Sequence, residues 1–149
     1  MELKSNSSKI IKLFLRGAIA AGFLSAVADR FGLWSEGVSA WGNWANFLEY
    51  TQVLIPWAPD SLIPIFGFTA TAFEIIFAVL LIVGFKTELI AKLSGLLLLL
   101  FALSMTFSIG VKGPLDYSVF SASAAAFALS LLKEKYWELD VMLSNPKSE

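Results

Sequence analysis

Four apolar windows, residues 10–34, 62–85, 88–109 and 115–132, occupy most of a chain of 149 residues, and the last three are joined by connections short enough to make antiparallel hairpins. Each window approaches the roughly 20 residues a helix needs to cross a bilayer. The fold class narrows to all-α: a four-transmembrane-helix bundle in one domain, residues 1–149, because no period of 20 to 50 residues repeats. The composition agrees, with 57% hydrophobic and 15% charged residues, less charge than a water-exposed domain of this length carries. Lipid is the expected solvent, and the bilayer the first partner.

The formal net charge is −1 and no basic stripe interleaved with aromatic rings is present, so a nucleic-acid partner has no electrostatic footprint. Cysteine and histidine are both absent. That removes a disulfide relay, thiolate or imidazole metal ligands and axial histidines for a haem, so no metal is expected and any redox cycle must use a borrowed carrier. Lys4, Lys9 and Lys12 ahead of an apolar run ending in Ala26, Val27 and Ala28 resemble a secretory signal. Arg16 interrupts that run, and the segment reads as a retained helix.

Basic residues set the orientation. Lys4, Lys9 and Lys12 flank the start, Lys86 and Lys92 the second connection, and Lys133 and Lys135 the end of the last window. Residues 35–60 hold no lysine or arginine and the third connection holds only Lys112, so four crossings with both termini cytoplasmic are expected. Within the long connection, Trp41, Trp44 and Leu48 recur at helical spacing beside Trp34, Tyr50 and Trp57. This predicts an amphipathic interfacial helix between the first and second spans, either an anchor in the outer interface or a lid over the mouth of the bundle. Leu132, Tyr136, Leu139 and Leu143 predict a surface helix over about 133–143, followed by a disordered tail at 145–149.

Glu74 stands near the middle of the second window, with Ala70, Thr71 and Ala78 one turn away and Gly67 two turns away. Such a small-residue face admits a neighbouring backbone and belongs inside the bundle. A carboxylate there costs at least a few kcal/mol unless it finds a cation, hydrogen bonds or a proton. Arg16 on the first span is the expected cation; alternatively Arg16 snorkels to the headgroups and Glu74 stays protonated. A second polar group is expected near the outer face, where Asp29 and Arg30 close the first window and Asp116 and Tyr117 open the fourth. Arg30 can meet Asp116 there, or these are ordinary charges fixing helix ends. Residues 96–100 read as lipid-facing, and Ser104 and Ser108 as hydroxyls satisfying backbone carbonyls.

Taken in order, LFLRGAIAAGFL with Arg16, the basic residue Arg30 closing the first span, AFEIIFAVLLIVGFKTELIAKLSG with Glu74, DYSVF with Asp116 and Tyr117, and the closing YWELD resemble the DoxX family of small four-helix membrane proteins over nearly the whole chain. One departure is Lys86, Thr87, Glu88, where many members carry an arginine after a threonine. The resemblance implies a bacterial inner (plasma) membrane protein, with some members tied to quinone-linked oxidation of sulfur compounds or to redox-stress complexes. Arg16, Glu74, Asp116 and Tyr117 match polar positions of that pattern.

Three functions are compatible with these residues. The first is a redox-associated subunit, catalytic or accessory to a quinone-linked oxidoreductase. It would hold a quinone-like or other lipidic ligand between helices, polarised by Arg16, Glu74 or Tyr117, and take electrons from a membrane or peripheral partner. The second is a small proton-coupled exporter working as a homo-oligomer through Glu74. The third is a structural subunit on which a membrane complex assembles. No catalytic residue is identified.

Overall fold

A computed structural model describes residues 2–144, so the tail at 145–149 lies outside the described residues. The chain is helical, with no strand among the described residues: α1 Glu2–Arg30, α2 Trp44–Leu54, a single 3-10 turn Asp60–Leu62, α3 Ile63–Val83, α4 Thr87–Ile109, α5 Lys112–Asp116, α6 Val119–Leu131 and α7 Leu139–Ser144. Three segments, Asn6–Arg30, Asp60–Val83 and Thr87–Ile109, are long and apolar enough to cross a membrane, as in a multi-pass membrane protein. Their surroundings agree, because Phe14, Phe68 and Phe107 stand 72%, 69% and 84% exposed. Rings and leucines spread over the outside of a bundle suit lipid and not water.

Helix α1 packs along α3, α4 along α6, and the α3–α4 hairpin joins the two pairs. Their shared core is Ile19, Ala20 and Phe23 of α1, Phe77, Ala78 and Leu81 of α3, Ile90 and Ala91 of α4, and Ala126 and Leu129 of α6. Alanines facing leucines let the axes approach. At the α4–α6 seam the Ser123 hydroxyl donates to the Gly95 carbonyl at 2.8 Å. At the α2–α3 seam a side chain at Gly67 would put its Cβ 2.6 Å from Leu48.

Three boundaries differ from those read in the sequence. The first helix ends at Arg30, not 34: Gly32 adopts φ 68°, and the amides of Gly32 and Leu33 donate to the carbonyls of Asp29 and Ala28. That left-handed termination satisfies carbonyls a helix end would otherwise leave open. Apolar content carried the sequence window past it. The fourth window, 115–132, is broken, because Ser118 takes φ 56° between α5 and α6. The surface helix expected at 133–143 forms only as α7, while residues 132–138 run irregularly beneath the bundle with Trp137 at φ 49°. The reason is competition: side chains of α1 take carbonyls in that stretch that helical amides would have used.

Candidate functional site

Glu74 faces the bundle interior and is 2% exposed, as its small-residue face implies. It sits about 16 Å along α3 from Ile63, so its partner must come from within the fold. That partner is Arg30, not Arg16. The Arg30 Nη2 donates to Glu74 Oε1 at 2.9 Å, its Nη1 donates to Glu74 Oε2, and Nη1 also donates to the Thr71 hydroxyl at 2.6 Å. Thr71 in turn donates to the Gly67 carbonyl at 2.8 Å. The fork of a guanidinium matches the two carboxylate oxygens, giving the strong bidentate geometry.

Aromatic rings close the pair from the other side. The Arg30 guanidinium lies 4.1 Å from the centre of the Phe47 ring on α2 and 5.4 Å from that of Trp41. Both contacts suit a cation against a π-face. Asp29, the preceding residue, points elsewhere and organises the connection that carries those rings. Its carboxylate accepts from the Ser39 hydroxyl and from the amides of Ala40 at 2.9 Å, Trp41 at 3.0 Å and Gly42 at 3.4 Å. The neighbours Asp29 and Arg30 thus build one assembly, the first holding the connection that carries the rings and the second lying against those rings. Helix α2 is held at its far end too, where the Ser108 hydroxyl donates to the Leu54 carbonyl at 2.6 Å. The expected backbone acceptor of Ser108 is therefore real but belongs to another helix.

Arg16 is 2% exposed and occupies the opposite, basic end. Its Nε donates to the Leu81 carbonyl at 2.8 Å and its Nη2 to the Ile82 carbonyl at 2.9 Å, both in the last turn of α3. Its Nη1 donates to the carbonyls of Tyr136 at 3.0 Å and Trp137 at 2.9 Å. One turn earlier, Lys12 donates to the Glu134 carbonyl at 2.7 Å and lies 2.7 Å from Glu138 Oε1. Arg16 therefore neither meets Glu74 nor snorkels free. It caps α3 and straps the chain end beneath it. Gly84 makes room for that strap, since its φ is 72° and a Cβ there would come 2.7 Å from the Glu138 Cα.

Asp116 is on the exposed surface, paired with Lys112 one turn before it, and Tyr117 is 72% exposed. Arg30 does not reach Asp116, so the outer group expected from the sequence divides in two. The structure does not bring Arg16, Glu74 and Tyr117 together, and the two buried members spend their polar atoms on protein. Thr71, Phe47, Trp41, Lys12 and Glu138 belong to these networks, a role the sequence pattern does not assign to any of them. The spacing of Lys12 and Arg16, four residues apart on one face of α1, was the available signal. No family model, curated protein or solved structure matches the chain.

Proposed function

We propose that the chain is a four-crossing membrane subunit with both termini cytoplasmic, serving as a rigid scaffold on which a redox-linked membrane complex assembles. The observation that carries this reading is that the buried charges Lys12, Arg16, Asp29, Arg30, Glu74 and Glu138 are all engaged within the chain. An exchanger needs a carboxyl that can release its partner and meet a substrate; Glu74 is instead held by two guanidinium nitrogens beneath two rings. Buried pairs of this kind contribute little net stability, but they can specify which helices pack together.

The fourth crossing is supported by geometry along α4. Helix α6 alone rises about 20 Å. Helix α5 extends it past the Ser118 break, with Gly113 against Ile109 and Met105 at one end of α4 and Leu129 in the core beside Ile90 at the other. The bend falls at Ser118, which takes φ 56° between the two helices. The orientation is supported by Lys9, Lys12, Lys86, Lys92, Lys133 and Lys135, which gather at one end.

The redox link rests on the DoxX resemblance. In that setting a quinone-like carrier would meet the protein at its lipid-facing surface or in the partner, not inside this bundle. Reconstituted into liposomes enclosing a pH-sensitive dye, the wild type and Glu74→Gln should carry the same proton flux as empty vesicles. In native membranes the chain should migrate within a larger assembly whose quinone-reducing activity falls on its deletion. Flux that disappears in Glu74→Gln would replace this reading with exchange, and an isolated chain whose deletion leaves quinone reduction intact would remove the scaffold role.

A further inference from the structure

Where α3 turns into α4, a depression of about 200 Å³ opens at the basic end of the bundle, lined by Lys86, Thr87, Glu88, Leu89, Lys135, Glu138 and Asp140. Its floor is the start of α4, a helix of 23 residues. The first amides of a helix have no intrahelical acceptor and carry its positive dipole end. A side chain at the N-cap ordinarily receives one of them. Here the N-cap is Lys86, left-handed at φ 45°, with no side-chain cap hydrogen bond.

A second observation is independent of the helix end. Thr87 is 2% exposed, and its hydroxyl has no hydrogen-bond partner among the described residues. A buried hydroxyl without a partner costs about 1–3 kcal/mol, so its retention calls for an acceptor. The carboxylates on the rim each have a cation or an amide beside them: Glu88 pairs with Lys133 at 2.9 Å, Asp140 accepts from the Lys86 amide at 2.9 Å, and Glu138 lies 2.7 Å from the Lys12 ammonium, although its Oε1 accepts no hydrogen bond among the described residues. Among the described residues, no salt bridge engages the ammonium groups of Lys86 and Lys135.

We propose that this depression binds a phosphate group, with the first-turn amides of α4 and the Thr87 hydroxyl donating to its oxygens and Lys86 and Lys135 closing over it. Helix N-termini receive phosphate by this combination of amides and dipole. The chemistry is common to the headgroup of an anionic lipid at the membrane surface and to free phosphate, and the two arms of the test separate them.

The full chain in a neutral detergent is melted with dioleoyl phosphatidic acid, with phosphatidylcholine, and with inorganic phosphate against chloride at equal ionic strength. Phosphatidic acid should raise the melting temperature above the phosphatidylcholine value. A parallel rise with inorganic phosphate identifies a site for the free ion, and a rise with the lipid alone identifies a headgroup site. Thr87→Val and the double change Lys86→Gln with Lys135→Gln should each raise the half-saturating concentration about tenfold, while Lys112→Gln at the other end leaves it unchanged. Without any probe, Thr87→Val should melt no lower than wild type, because it removes an unpartnered buried hydroxyl. The proposal is overturned if neither phosphate source shifts the wild type, if Thr87→Val binds as wild type does, or if Thr87→Val melts lower in the absence of both probes.

Discussion

Arg30 and Arg16 lie about 21 Å apart along α1, both buried, yet their charges are met by different chemistry. Arg30 faces the middle of α3 and receives a full counter-charge, the carboxylate of Glu74, with Thr71 and two rings around it and its Nε left without a hydrogen-bond partner among the described residues. Arg16 faces the end of α3 and receives four backbone carbonyls, two from the last turn of that helix and two from the strap. The negative end of a helix dipole and its unbonded carbonyls already favour a cation. Halfway along a helix those carbonyls are used by its own amides, so only a side chain can serve. The depth at which a cation is buried therefore selects its partner: a carboxylate within the helix, carbonyls at its end.

The sharpest way to break this comparison is Glu74→Leu, which strands Arg30 in an apolar shell. It should destabilise the detergent-solubilised protein by about 3–5 kcal/mol, and adding Arg30→Leu should restore much of the loss. Equal denaturation midpoints for the single and double variants would mean that the two side chains are not coupled.

Arg16→Leu should cost less, on the order of 2–3 kcal/mol, because water can reach the freed carbonyls at the bundle end. Its signature is local: trypsin should cut after Lys133 and Lys135 much faster than in wild type, and Arg16→Lys should not restore protection, since one ammonium cannot span four carbonyls. Unchanged cleavage would remove the strap from Arg16.

Gly84→Ala sharpens the same end. A left-handed position and the nearby Glu138 backbone together should cost roughly 1–2 kcal/mol, with faster cleavage of the strap. A variant as stable and as protected as wild type would show that the strap does not depend on that close approach. The smallest effect belongs to Asp116→Asn. Its pair with Lys112 is exposed, so the denaturation midpoint should move by less than about 0.5 kcal/mol. A larger loss would return Asp116 to the polar centre.

Much of the bundle was legible because its signals are local. Hydropathy over about 20 residues marks a span, and the short link at Gly84, Phe85 and Lys86 marks a hairpin. The small residues around Glu74 marked its face correctly. The partner of Glu74 was not legible, because the sequence does not show at what heights two helices pack against each other. Gly32 ends α1 earlier than its apolar content suggests, and the packing of α1 on α3 sets Arg30 beside Glu74. The sequence around Arg30, Phe31 and Gly32 contained that stop signal, but hydropathy outweighed it. Residues 132–138 depart from their pattern for a related reason: amphipathic spacing describes what the segment could do alone, not what the donors on α1 make of it.

From the amino-acid order alone come the membrane as solvent, the number of apolar windows and the presence of an acid that has to face inward, since each is a sum over neighbouring residues. Which cation neutralises that acid, where α1 stops beside α3, and the strap beneath the bundle were decided by the tertiary structure. Those depend on groups separated by 44 residues between Arg30 and Glu74 and 120 between Arg16 and Tyr136. Hydrogen bonds in a low-dielectric interior are worth enough to override local preference, and their geometry exists only after the helices have packed.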